Sequence, residues 1–105
     1  MESYRVYHSK TFDDKLKDMP KDFIEWVDRI ESQLVTNPYV GKPLGVGWLR
    51  KKKYLKYRIY YLVYEDLISV FMVNISEKKD QHKVINTIKL FLDTYKEEIM
   101  KLSRN

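Results

Sequence analysis

The stretch from Trp48 to Ile75 does most to limit what this chain can fold into. It holds three runs dense in β-branched and aromatic residues, Trp48–Tyr54, Tyr57–Tyr64 and Leu67–Ile75, which read as consecutive strands. Glu65-Asp66 makes a tight turn between the last two, and only a few residues around Leu55-Lys56 separate the first two. Connections this short join antiparallel neighbours. In the second and third runs apolar residues occupy successive positions rather than alternate ones, so both faces of those strands need cover.

The flanking segments can supply that cover. Tyr4 and Val6 alternate with polar neighbours through Ser3–His8, as in an N-terminal strand. From Thr11, the residues Phe12, Leu16 and Met19 recur at helical spacing until Pro20, which can open the next helix at its first turn. Phe23, Ile24, Val27, Ile30 and Leu34 then form an apolar stripe with Asp22, Glu25, Asp28, Arg29 and Glu31 on the other side. The two segments read as a helical hairpin ended by Asn37-Pro38, and all three glycines fall in the connector Gly41–Gly47 that follows. Val84, Ile85, Ile88, Leu92, Tyr95, Ile99 and Leu102 predict one long C-terminal amphipathic helix. The expected class is α+β: an N-terminal strand, a helical hairpin, a three-stranded antiparallel meander joining the first strand in one sheet, and the C-terminal helix. At 105 residues with no internal repeat, residues 1–105 are expected to form a single domain.

Composition removes several function classes. The absence of cysteine excludes disulfides, cysteine–zinc sites and thiol nucleophiles, and the two histidines lie far apart, so neither metal nor cofactor is expected. The N-terminal residues lack an apolar signal core and no run approaches the roughly 18 apolar residues of a membrane span, so a cytoplasmic protein is expected. Charge is polarised: Ser32–Tyr64 holds seven basic residues (Lys42, Arg50, Lys51, Lys52, Lys53, Lys56, Arg58) and no acid, leaving 13 basic against 15 acidic elsewhere. Such a cluster attracts phosphates or an acidic partner, unless it is only a solvated charge run.

The strand pairing decides which of these cations meet. With Leu55-Lys56 as a two-residue loop, or Tyr54–Tyr57 as a four-residue one, Lys53 lies opposite Arg58 and Lys51 opposite Tyr60. A three-residue loop instead places Arg50 and Lys52 beside Arg58, since a one-residue slip exchanges faces. The sequence lacks the Asn-Gly or Asp-Gly signal that would choose. Either way like charges oppose one another, which is unfavourable unless an anionic ligand compensates.

The order strand, two helices, three strands, with NPYVGKPLGVGWLRKKKYLKYRIYYLVYED, resembles the RelE/ParE toxin superfamily of toxin–antitoxin pairs over about Tyr4–His82. The pieces that carry the likeness are Asn37-Pro38, Gly41-Lys42-Pro43-Leu44 and the strand Tyr57-Arg58-Ile59-Tyr60-Tyr61. For a RelE-type member the resemblance implies a ribosome-dependent endoribonuclease that cuts mRNA in the ribosomal A site without metal, held inactive by an antitoxin. For a ParE-type member it implies a non-enzymatic inhibitor of DNA gyrase. By position Arg58 matches the family's sheet arginine, Lys51 and Lys53 its preceding basic residues, and Lys78 and His82 the basic residue and the Tyr or His four positions on. Two departures stand out: Leu55 occupies a turn position that is often glycine, and lysine replaces the commoner arginine at Lys78.

These residue types suit attack by a ribose 2′-hydroxyl on its own phosphate. Arg58, Lys51 and Lys53 would stabilise the phosphorane, and crowding lowers lysine pKa values so that one lysine could serve as base or acid. His82 is the alternative acid/base group, or merely a surface histidine, with Lys78 as a phosphate contact. Arg50, Lys52, Lys56 and Lys79 are expected to bind RNA without performing chemistry. Arg58 could instead pair with a carboxylate; as a site residue outside the core, its replacement by Ala should spare the fold. The C-terminal stripe packs on the sheet or stays open for the antitoxin, whose acidic character would complement the basic face. Three readings follow: endoribonuclease acting on ribosome-bound mRNA, gyrase inhibitor, or an RNA- or antitoxin-binding module without catalysis.

Overall fold

The computed structural model describes residues 3–104. Its elements are β1 (Arg5–His8), α1 (Lys10–Leu16), α2 (Lys21–Thr36), β2 (Lys42–Pro43), β3 (Leu49–Tyr54), β4 (Tyr57–Tyr64), β5 (Ser69–Glu77), α3 (Gln81–Leu90) and α4 (Leu92–Ser103), with 3₁₀ turns at Glu65–Leu67 and Lys78–Asp80. One five-stranded sheet runs β1-β5-β4-β3-β2, with β1 parallel to β5 and the remaining pairs antiparallel. The N-terminal strand therefore joins the meander beside its last strand rather than its first.

Both faces of β4 and β5 are buried, as their unbroken apolar runs require. On one face Phe12 of α1 and Phe23, Val27, Ile30 and Leu34 of α2 pack on Ile59, Tyr61, Val63, Val70 and Met72. On the other, Ile88, Tyr95 and Ile99 of the C-terminal segment cover Leu49, Tyr60, Leu62, Phe71 and Val73. The stripe thus packs on the sheet, but not as one helix. Phe91 (φ −111°, ψ 21°) interrupts it, and Leu90 and Phe91 are exposed at the break. Neither glycine nor proline stands there, so the interruption has no local sequence signature.

Two further features bear on the site. The register of β4 on β5 slips between Tyr60 (opposite Asn74) and Tyr61 (opposite Met72), a bulge that leaves Val73 as the extra residue. Beyond Met72 the free edge of β5 is blunted by side chains: the Ser9 hydroxyl donates to the Val73 carbonyl, and Lys15 Nζ donates to Asn74 Oδ1 (2.6 Å) and the Ile75 carbonyl (3.0 Å). Among the described residues no helix is long and apolar enough to cross a membrane.

Candidate functional site

The β3–β4 hairpin turns through Leu55-Lys56, with Tyr54 opposite Tyr57, Lys53 opposite Arg58 and Lys51 opposite Tyr60. The structure thus selects the two-residue loop. Leu55 takes φ +54° where glycine would be unstrained, while Lys56 keeps a negative φ. One local and one distant contact hold this loop: Arg58 Nη1 donates to the Leu55 carbonyl at 3.0 Å, and the Lys78 amide donates to the Lys56 carbonyl at 2.7 Å.

The register puts Lys51, Lys53 and Arg58 on the face that α3 and α4 cover further along the sheet. Short β2 adds Lys42 directly opposite Lys51, and the 3₁₀ turn after β5 adds Lys78. Together with Val40 and Lys52 these residues line a pocket of about 580 Å³. Among the described residues none of Lys42, Lys51, Lys53, Arg58 and Lys78 has a carboxylate within ion-pairing distance. With Lys52, also unpaired among those residues, the sheet and the turn after it line the pocket with six uncompensated cations, which is unfavourable in the absence of an anion.

Arg58 departs from the expectation of a residue outside the core. It is 6% exposed, and Nη1 also donates to its neighbour's carbonyl, that of Tyr57, at 3.0 Å. Its Nε is buried and has no hydrogen-bond partner among the described residues. An orphaned donor on a buried cation carries an unrelieved desolvation penalty, which an anion in the pocket would offset. Arg58→Ala would also release the hairpin loop, so it is not a fold-neutral change. Beneath Arg58, Tyr60 shares a 2.8 Å hydrogen bond with the Ser76 hydroxyl, and burial raises its pKa, keeping it a neutral phenol.

Lys51 is half-buried and donates from Nζ to Oε1 of Gln81 at 3.0 Å. Burial lowers its pKa first, and Lys42, Arg58, Lys53 and Lys78 add like-charge repulsion in the same direction.

The remaining candidates separate from this group. His82, the second residue of α3, is exposed, does not line the pocket and makes no side-chain hydrogen bond among the described residues. Arg50 points away from the pocket and acts as a staple for the connector, donating to the carbonyls of Gly41 (2.9 Å), Gly47 (2.7 Å) and Tyr39 (3.1 Å). Lys56 and Lys79 flank Glu77 at 3.1 and 3.6 Å, so their charge is partly neutralised beside the pocket. Lys52 lines the pocket rim. Lys42 and Gln81 join the site; in the sequence charge density alone points to the first, and nothing points to the second. Among the described residues no group of three His, Asp or Glu side chains could hold a metal ion.

No family model matches the chain, and no curated protein matches it in sequence. Solved structures match in fold. A free-state variant of the E. coli toxin RelE superposes with a TM-score of 0.71 at 15% identity, over 83% of this chain and 96% of that one. The intact E. coli RelBE toxin–antitoxin complex gives 0.65 at 16% identity, covering 71% and 96%. A toxin–antitoxin complex from Mycobacterium tuberculosis gives 0.63 at 22% identity, covering 73% and 93%. The chain has the α+β fold of the RelE toxins.

Proposed function

We propose that the chain is a RelE-like toxin that cleaves mRNA in the ribosomal A site by 2′-hydroxyl attack and so inhibits translation. The observation that carries the reading is the buried Arg58, its Nε unpartnered among the described residues, in a pocket lined by five lysines with no carboxylate among those residues to neutralise them. A single phosphate can accept from several of these donors at once, whereas a protein partner would have to bury several carboxylates there.

Lys51 is the general base. Its lowered pKa raises the fraction of free amine at neutral pH, and its nitrogen removes the 2′-hydroxyl proton. The alkoxide attacks the adjacent phosphorus, and Arg58 with Lys78 and Lys42 stabilises the charge that accumulates on the non-bridging oxygens. Lys53 protonates the departing 5′-oxygen, leaving a 2′,3′-cyclic phosphate and a 5′-hydroxyl. Neither His82 nor Arg50 has a part in this chemistry. A cognate antitoxin with an acidic segment would silence the toxin by covering the same cations.

The test is brief induction of the wild type and of Arg58→Lys, followed by primer-extension mapping of message ends. The expected result is new cuts inside translated codons for the wild type, with the lysine variant reduced about 100-fold or more, since lysine cannot reproduce the guanidinium fork. Growth arrest with intact messages and falling DNA supercoiling would refute the reading in favour of a gyrase inhibitor.

A further inference from the structure

Lys51 is held by a neutral acceptor where an anionic one would be stronger. Its Nζ donates to Oε1 of Gln81 at 3.0 Å, and Gln81 is the first residue of α3, directly after the turn that carries Lys78. The groups facing Lys51 are Lys42 on β2, Lys53 on its own strand, Arg58 and Tyr60 on β4, Lys78 in the 3₁₀ turn and Gln81 on α3. Every charged member of that set is a cation. A flexible side chain repelled from all these sides would swing toward solvent unless something held it.

An amide oxygen accepts from an amine as well as from an ammonium, so it holds the nitrogen in either state and favours the protonated form far less than a carboxylate would. A glutamate at the same place would hold Lys51 more tightly but as an ion pair, and so keep it charged. We propose that Gln81 is a positioning residue that anchors the Lys51 amine over the cation pocket while leaving it free to lose its proton. The inference rests on the reading of the pocket as an RNA-cleaving site. It assigns the start of α3 to the catalytic apparatus, through Gln81 rather than through its neighbour His82.

The experiment compares the wild type with Gln81→Glu and Gln81→Met. Glutamate is favourable in the first turn of a helix, so that variant is not expected to be lost through misfolding. The Lys51 side-chain pKa is read directly by NMR titration of isotope-labelled lysine, and the pH dependence of kcat for RNA cleavage on ribosomes is read in parallel. In Gln81→Glu the Lys51 pKa rises by about one unit or more, the rising limb of kcat moves up by the same amount, and kcat at neutral pH falls about tenfold or more. In Gln81→Met the pKa does not rise, yet kcat falls at every pH because the amine is no longer held. An unmoved Lys51 pKa in Gln81→Glu, or full activity in Gln81→Met, overturns the proposal. If the wild type cuts no RNA at any pH, the functional reading fails instead, and the NMR titration still decides whether Gln81 governs Lys51.

Discussion

Replacing Lys51 with Met should make the protein more stable and nearly inactive, and the sign of the stability change should depend on salt. Methionine keeps the unbranched stem and removes the ammonium. In the wild type that ammonium sits opposite Lys42, diagonal to Arg58, two residues from Lys53 and near Lys78. At roughly 5–8 Å each neighbour repels it by about 0.3–0.5 kcal/mol after screening at about 0.15 M salt, or about 1.5 kcal/mol together. The hydrogen bond to Gln81 is lost, which takes back about 0.5–1 kcal/mol. The net gain of about 0.5–1 kcal/mol corresponds to a Tm roughly 2–8 °C higher for a domain of about 100 residues. At about 1 M salt the screening length shrinks to about 3 Å, the repulsion disappears and the lost hydrogen bond remains, so the variant becomes the less stable protein. The pH dependence has a definite sign as well. Because the folded-state pKa of Lys51 is lowered, the penalty of its charge is fully present below that pKa and is relieved as pH rises through it, so the variant's advantage fades in alkali. Thermal unfolding followed by circular dichroism at the two salt concentrations is the assay. A variant less stable than wild type at the lower salt, or a gain that persists at the higher, refutes the account of uncompensated cations.

His82→Ala should leave cleavage within about twofold of wild type, because the ring lies outside the pocket; a loss of about 100-fold, the usual effect of removing an acid or base, would return it to the mechanism. His8 ties β1 to α1 and α2, with Nδ1 2.6 Å from Asp13 and Nε2 bonded to Glu31, and the Glu31 bond leads the causes that raise its pKa above 6.5. Its contribution is therefore complete below the unfolded value of about 6.5 and is lost as pH rises through the folded one, so His8→Asn should cost about 1–2 kcal/mol at pH 6 and progressively less in alkali, as urea titrations would measure. Gly41→Ala would place a Cβ 2.6 Å from both the Lys51 carbonyl oxygen and the Tyr61 hydroxyl, and is expected to destabilise by about 1–3 kcal/mol in the same titrations. An unchanged midpoint would mean that β2 does not pack as tightly on β3 as the structure has it.

The layers of the fold were legible because they rest on local pattern. Successive apolar positions in β4 and β5 required cover on both faces, and the stripes of α2 and of the C-terminal segment supplied it. What escaped depends on distant contacts. β2 is only Lys42–Pro43, too short for any periodicity, and exists because Arg50 and Tyr61 fasten Gly41 beside β3. The break at Phe91 has no glycine or proline to announce it. The parallel pairing of β1 with β5 depends on where α1 and α2 return the chain, which no residue of β1 specifies.

The site follows the same division, with one difference that explains why a run of basic residues could not be read residue by residue. Arg50, Lys51, Lys52 and Lys53 are equivalent as charges, and strand parity sets Lys51 and Lys53 on the face of Arg58 while Arg50 turns to the connector and Lys52 reaches only the pocket rim. Parity depends on loop length, and nothing in Leu55-Lys56 fixes that length locally. Arg58 and Lys78 do so, through Nη1 on the Leu55 carbonyl and the Lys78 amide on the Lys56 carbonyl. Two of the residues that line the pocket thus also hold the turn that brings the charges together, Arg58 through its side chain and Lys78 through its backbone amide. Arg58 is buried where it meets the loop, and among the described residues its Nε there has no partner. Anchoring the hairpin and creating the demand for an anion are therefore two results of a single placement.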